Sequence, residues 1–257
     1  MRRLTFEFDT NISFSQPVSE HSFLLRCVPK STSSQQVIRF CVDIKPQEGP
    51  LTFSQDCFGN SVCSGRVALS HSTFSYSCRG IVIRDDSRRT ADKPLECYRY
   101  PSPLTQPTLA MSEFLAGISD SVRGHELAET ICQAVHSHFT YAAGSTTTAT
   151  TAGEPFAAGQ GVCQDYAHVF LALARQKGLY ARYVCGLPEG DGFSHAWVEV
   201  WEDGYWCGYD PTRLVAVDEG YIRLAVGRDF TDCPVERGNM LGACEQTQTS
   251  FMRVYQK

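Results

Sequence analysis

The stretch Gly159-Gln160-Gly161-Val162-Cys163-Gln164-Asp165-Tyr166-Ala167-His168 decides how the rest of the chain is read, because it carries one cysteine from a glycine-loosened loop into an apolar helix. Counting from Cys163, the residues Ala167, Phe170, Leu171 and Ala174 recur with the spacing of a buried helical face. Arg175 and Lys177 suit the negative end of a helix and Gly178 supplies a stop, so the pattern predicts a helix from about Val162 to Lys177. A thiol in the first turn of such a helix lies among unpaired N–H groups, whose field stabilises negative charge on sulfur. Taken singly, a cysteine in an apolar stripe is ordinary packing.

Downstream residues change that weight. His195-Ala196-Trp197-Val198-Glu199-Val200-Trp201 alternates, which puts His195, Trp197, Glu199 and Trp201 on one face of a strand. Asp203-Gly204 is a favoured two-residue hairpin turn, and a regular hairpin closed on it sets Trp197 opposite Asp210 and His195 opposite Thr212. His195 and Asp210 then become diagonal neighbours, roughly 7–8 Å apart at the backbone and within reach of an imidazole and a carboxylate. A carboxylate so placed fixes the ring tautomer and stabilises the imidazolium. Cysteine, histidine and aspartate thus follow one another in the order of a thiol-dependent triad.

Competing sites are weaker. The third glycine of G-x-G-x-x-G is replaced by Gln164 and no apolar strand precedes it, which argues against dinucleotide binding. Neither G-x-S-x-G nor the phosphate-binding G-x-x-x-x-G-K-[ST] occurs. With no C-x-x-C pair, the nearest metal-like set is Cys132, His136 and His138, which reads better as the end of a helix; no metal or cofactor is expected. A net charge of -5 over 257 residues gives no electrostatic reason to expect nucleic acid or an anionic membrane as partner. The first residues carry acids where a signal peptide needs a continuous apolar run, so the expected location is cytoplasmic. Eleven of the twelve cysteines, Cys41 and Cys185 among them, are expected to serve as small reduced hydrophobes.

Upstream, the segments Leu4–Asp9, Ser22–Val28, Gln36–Ile44, Ser61–Leu69 and Thr73–Val82 read as strands, and their spacing predicts an antiparallel sandwich. Asp56-Cys57-Phe58-Gly59-Asn60 is a turn between two of them. Charged residues near Asp85 give way to Pro94, Pro101, Pro103 and Pro107, a boundary signal. Beyond it, Met111–Leu115 and Gly124–His138 read as helices, and the Thr-, Ala- and Gly-rich run 142–159 as a surface loop or a lid. The expected fold is α+β: an N-terminal β-sandwich over 1–100, then a catalytic domain over 101–257.

The strings Gly161-Val162-Cys163-Gln164-Asp165-Tyr166-Ala167-His168, His195 to Val200, Tyr209-Asp210-Pro211-Thr212 and Gly227-Arg228-Asp229-Phe230 resemble the bacterial transglutaminase-like superfamily. The β-rich start, with its Asp56-x-Phe58-Gly59-Asn60 turn, is similar to the N-terminal region that accompanies such domains. The resemblance implies a papain-like core, in which a central helix opened by the nucleophile packs on an antiparallel sheet carrying histidine and aspartate. It assigns Cys163 as nucleophile, His195 as general base and then acid, and Asp210 as orienter. Gln160 is a candidate oxyanion donor beside the Cys163 N–H, while Asp165, His168, Trp197, Arg228 and Asp229 are candidates for supporting roles. The implied chemistry is hydrolysis of an amide or isopeptide bond in a peptide or protein through an acyl-thioester. Transfer of the acyl group to an amine, or a non-catalytic binding module on the same fold, are the alternatives.

Overall fold

Strict alternation at the start of the chain, with Leu4, Phe6, Phe8, Thr10, Ile12 and Phe14 all buried, produces a strand of unusual length. The computed structural model describes residues 1–256, and β1 runs from Arg2–Leu25, followed by β2 (Gln35–Lys45), β3 (Thr52–Gln55), β4 (Ser61–Val67) and β5 (His71–Arg84). The two strands expected at Leu4–Asp9 and Ser22–Val28 are therefore one. Pro17 sits where the β1 register against β5 shifts between Ser13 and Val18, a place in which its missing N–H interrupts no ladder bond.

Four helices and ten further strands follow: α1 (Leu109–Ala116), α2 (Gly124–His138), β6 (Thr140–Tyr141), α3 (Gly153–Ala158), β7 (Gln160–Gly161), α4 (Cys163–Gln176), β8 (Ala181–Pro188), β9 (Gly190–Gly192), β10 (His195–Glu202), β11 (Tyr205–Asp210), β12 (Val215–Ala216), β13 (Tyr221–Gly227), β14 (Glu236–Leu241) and β15 (Gln246–Gln256). An eight-stranded antiparallel sheet is shared along β1. Its first half pairs with β5 and β15, its second with β4 and β14. Both wings bury side chains in one cluster, where Phe23 of the second meets Phe74 of the first at 5.0 Å between ring centroids. β15 belongs to this sheet although it lies far beyond the expected division near residue 100, because its alternating Met252 and Val254 complete the same core.

β2 is an edge strand, and Ile38, Phe40 and Cys41 on it are exposed. The apolar run around Cys41 thus does not bury that thiol, which corrects the reading of it as a core hydrophobe.

A second antiparallel sheet has the order β12-β11-β10-β8-β13. α4 packs on β10 and β8 with α2 beside it. Phe170 and Leu171 of α4 and Val198 and Val200 of β10 are fully buried together, each large side chain contributing about 1.5–3 kcal/mol. The other face of the sheet sends Leu187, Ile222 and Leu224 into the N-terminal cluster, so α4 and the N-terminal sheet lie on opposite sides. The proline-rich segment between them is anchored: buried Arg175 donates to the Tyr98 carbonyl and the Thr105 hydroxyl. Among the described residues no helix is long and apolar enough to cross a membrane.

Candidate active site

Cys163 is the first residue of α4, after Val162 in an extended conformation (φ -109°, ψ 178°). The sulfur-bearing residue is partly exposed, whereas Asp165 to Arg175 are buried without a break. Asp165 sets the entry of the chain. Its Oδ2 accepts the Val162 N–H at 2.7 Å and the Thr146 hydroxyl at 2.6 Å. Gly161 is required by this closeness, since a Cβ there would lie 2.7 Å from the Asp165 carboxylate. Burial raises the Asp165 carboxyl above its ordinary value, against the opposing hydrogen bonds from Thr146 and Val162. The loop is pinned on its other side by the parallel pairing of β7 with β6, in which Ala142 N–H donates to the Gly161 carbonyl at 2.9 Å. Run 142–159 is therefore tied to the cysteine through Thr146 and, at its end, folds into α3.

The hairpin closes as its turn residues require. Asp203 (φ 49°) and Gly204 (φ 91°) both have positive φ, and the register pairs Val198 with Tyr209 and Glu202 with Tyr205. His195 Nε2 and Asp210 Oδ2 are 2.8 Å apart. With that nitrogen engaged, Nδ1 is the one left for sulfur, and Cys163 also favours charge on the same ring. Burial opposes charge on His195. The hydrogen bond with Asp210 and, after it, the influence of Cys163 outweigh burial and push the ring up to about 9 from 6.5. Asp210 is fully buried, yet its carboxyl is lowered: burial acts upward, but His195 and the surrounding donors prevail. Its Oδ1 accepts the N–H groups of Thr212 (3.0 Å) and Arg213 (3.1 Å), and its Oδ2 also accepts the Tyr221 hydroxyl at 3.0 Å.

Residues 112–211 match the transglutaminase-like superfamily and residues 4–83 the bacterial transglutaminase-like N-terminal region. The chain carries a transglutaminase-like core behind a bacterial transglutaminase-like N-terminal region. An uncharacterized protein of Mycobacterium tuberculosis is 29% identical over 246 residues, covering 82% of this chain and 78% of its own. One from Mycobacterium leprae is 44% identical over 89 residues, 31% of this chain and 32% of its own. The crystal structure of a candidate cysteine protease from Cytophaga hutchinsonii superposes with a TM-score of 0.82 at 23% identity, over 100% of this chain and 91% of that one, a likeness of fold.

Within this transglutaminase-like core the remaining sequence candidates separate. Trp197 is fully buried, 6.5 Å from the His195 ring and edge-on to Tyr221 at 5.3 Å, so it packs under the histidine and presents no face to solvent. His168 is buried behind the site. Its Nε2 accepts the Phe230 N–H at 3.1 Å, and burial, ahead of the opposing Asp229 charge, lowers it to about 4. Arg228 and Asp229 do not pair with each other: Arg228 binds Asp232 at 2.9 Å, while Asp229 caps the following turn by accepting the Thr231 N–H at 2.8 Å. Gln160 is exposed on β7, its backbone paired with Thr140. Cys132, His136 and His138 diverge: Cys132 enters the core, His136 Nδ1 lies 3.1 Å from the Pro211 carbonyl, and His138 Nε2 lies 2.8 Å from that of Phe156.

Two features escaped the sequence reading. Tyr221, on β13 at the far edge of the sheet, carries no motif that marks it. Glu199 is fully buried between Arg182, 2.7 Å away, and Arg223. Burial acts to raise its carboxyl, but Arg223 and Arg182 bring it down to about 2. A charge in the middle of an otherwise apolar strand was the signal available for it.

Proposed function

We propose that this protein is a cysteine-dependent amide hydrolase acting on a peptide or protein through an acyl-thioester, with Cys163 as nucleophile, His195 as acid and base, and Asp210 as orienter. The observation that carries this reading is a histidine held at Nε2 by a buried carboxylate, with Nδ1 left for a sulfur at a helix N-terminus. His195 raised to about 9 is an imidazolium at neutral pH, and the form of sulfur that attacks a carbonyl is the thiolate. Sulfur bonds to the carbonyl carbon while the carbonyl electrons move to oxygen, where the Cys163 N–H stabilises them. Collapse of this intermediate breaks the C–N bond, and His195 gives its proton to the departing amine. Water then adds to the thioester as His195 takes its proton, and the thiolate leaves with the acid released. Transfer to an amine differs only in what replaces that water.

Alkylation by iodoacetamide tests the assignment. Wild-type protein is expected to label at Cys163 far faster than at its other exposed thiols, Cys41 and Cys57. Cys163→Ala should remove that fast phase; an unchanged fast phase in Cys163→Ala refutes the assignment.

A further inference from the structure

Where β1 changes partners, β15 follows its first half and β14 its second, and a cavity of about 540 Å³ lies between them. Ser194, the residue ahead of His195, lines it, as does Thr148 from the loop that holds Asp165. Its other walls include Tyr76 of β5 and Glu236 of β14. Two acceptors there lack partners among the described residues. Tyr76 is 2% exposed and its hydroxyl is unpaired, and so is the buried Oε2 of Glu236. A buried polar atom left unpaired loses its hydration without compensation, and this cavity holds two. Burial is the sole influence displacing the Glu236 carboxyl, which it pushes up to about 7. Arg237, also at the wall, is engaged by the carbonyl of Thr231, another wall residue, to which it donates.

We propose that this cavity is a subsite for a primary ammonium group of the substrate, with Glu236 as counter-ion and the Tyr76 oxygen as a second acceptor. An ammonium brings three donors and one positive charge, the complement of a carboxylate and a phenol oxygen that lack partners. It also offsets the cost of ionising a carboxylate away from water. An ammonium bound in this way has no lone pair with which to attack a thioester. It anchors the substrate while a carbonyl elsewhere in the same molecule meets Cys163. This inference rests on the hydrolase reading and narrows its substrates to peptides bearing a free amino group, on a lysine side chain or at the amino terminus.

Binding to the full-length Cys163→Ala protein tests the subsite without turnover. In NMR titrations, n-butylammonium represents the lysine side chain, glycinamide the amino terminus and 1-butanol the uncharged isostere. At least one amine should bind saturably, at least tenfold more tightly than butanol, and Glu236→Gln in the same background should weaken it at least tenfold. Butylammonium alone, glycinamide alone, or both identify the source of the ammonium. Binding of neither amine, equal binding of butanol, or undiminished binding by folded Glu236→Gln overturns the proposal. Iodoacetamide labelling of the wild-type chain reports on Cys163 separately, so failure of the subsite is distinct from failure of the catalytic assignment.

Discussion

Replacing Asp210 by asparagine keeps the shape of the side chain and inverts its hydrogen bonding at one atom. Two backbone N–H groups, of Thr212 and Arg213, converge on Oδ1 and require an acceptor there. The asparagine oxygen is drawn to that side, and its NH2 faces His195 Nε2, where the wild-type carboxylate accepts. Nε2 must then accept and the ring proton moves to Nδ1, the nitrogen needed by sulfur. The substitution also removes most of what lifts His195 from 6.5 to about 9, a preference for the charged ring of roughly 3 kcal/mol that Asp210 leads and Cys163 shares. Loss of the right tautomer in a triad costs on the order of 10⁴ in turnover. Measured as the rate of iodoacetamide alkylation against pH, Asp210→Asn should react about 10–100 times more slowly near neutrality, because an unassisted thiol of reference pKa ~8.5 is only a few per cent thiolate there. Its alkaline limb should shift from near 9 towards the ordinary histidine range. The sign for stability follows from the same pair. A raised histidine pKa contributes fully below about 6.5 and is lost as pH rises through about 9, so wild type, but not the variant, should lose stability across that interval. A folded Asp210→Asn protein with wild-type alkylation rate and pH profile would refute the reasoning.

Further outcomes follow from the groups around Cys163, His195 and Asp210. Glu199→Gln leaves the guanidinium groups of Arg182 and Arg223 buried without their shared counter-charge, and a loss of about 3–5 kcal/mol is expected in urea unfolding at pH 7. Because the Glu199 carboxyl is lowered to about 2 from 4.5, its contribution should be present above about 4.5 and vanish as pH falls through 2, which acid unfolding of wild type and variant would resolve. Tyr221→Phe removes one donor from the Asp210 carboxylate, worth about 1.5–3 kcal/mol as a charged hydrogen bond. That variant should stay folded and label more slowly, by less than Asp210→Asn.

Legibility in the sequence followed the range of the forces involved. The helix at Cys163 was predicted within a residue at each end because its stripe, charges and stop are local. The β10–β11 register was legible because Asp203-Gly204 fixes both strands through two positive φ angles. Around residues 15–17 the same kind of local reading failed, since proline there marks a register shift inside β1 and no end to the strand. It failed at Cys41 as well, because an apolar run does not announce that its strand will be an edge.

By itself the sequence determined which residues could carry the chemistry: a cysteine opening a helix, and a histidine and aspartate facing one another across a hairpin. These depend on backbone periodicity and turn geometry, which act over a few residues. Only the tertiary structure decided that Tyr221 reaches Asp210, that Glu199 is held by arginines from two other strands, and that β14 and β15 part around the cavity of Glu236 and Tyr76. Such contacts join residues distant in the chain, and their energy comes from burial and charge pairing that no single segment contains.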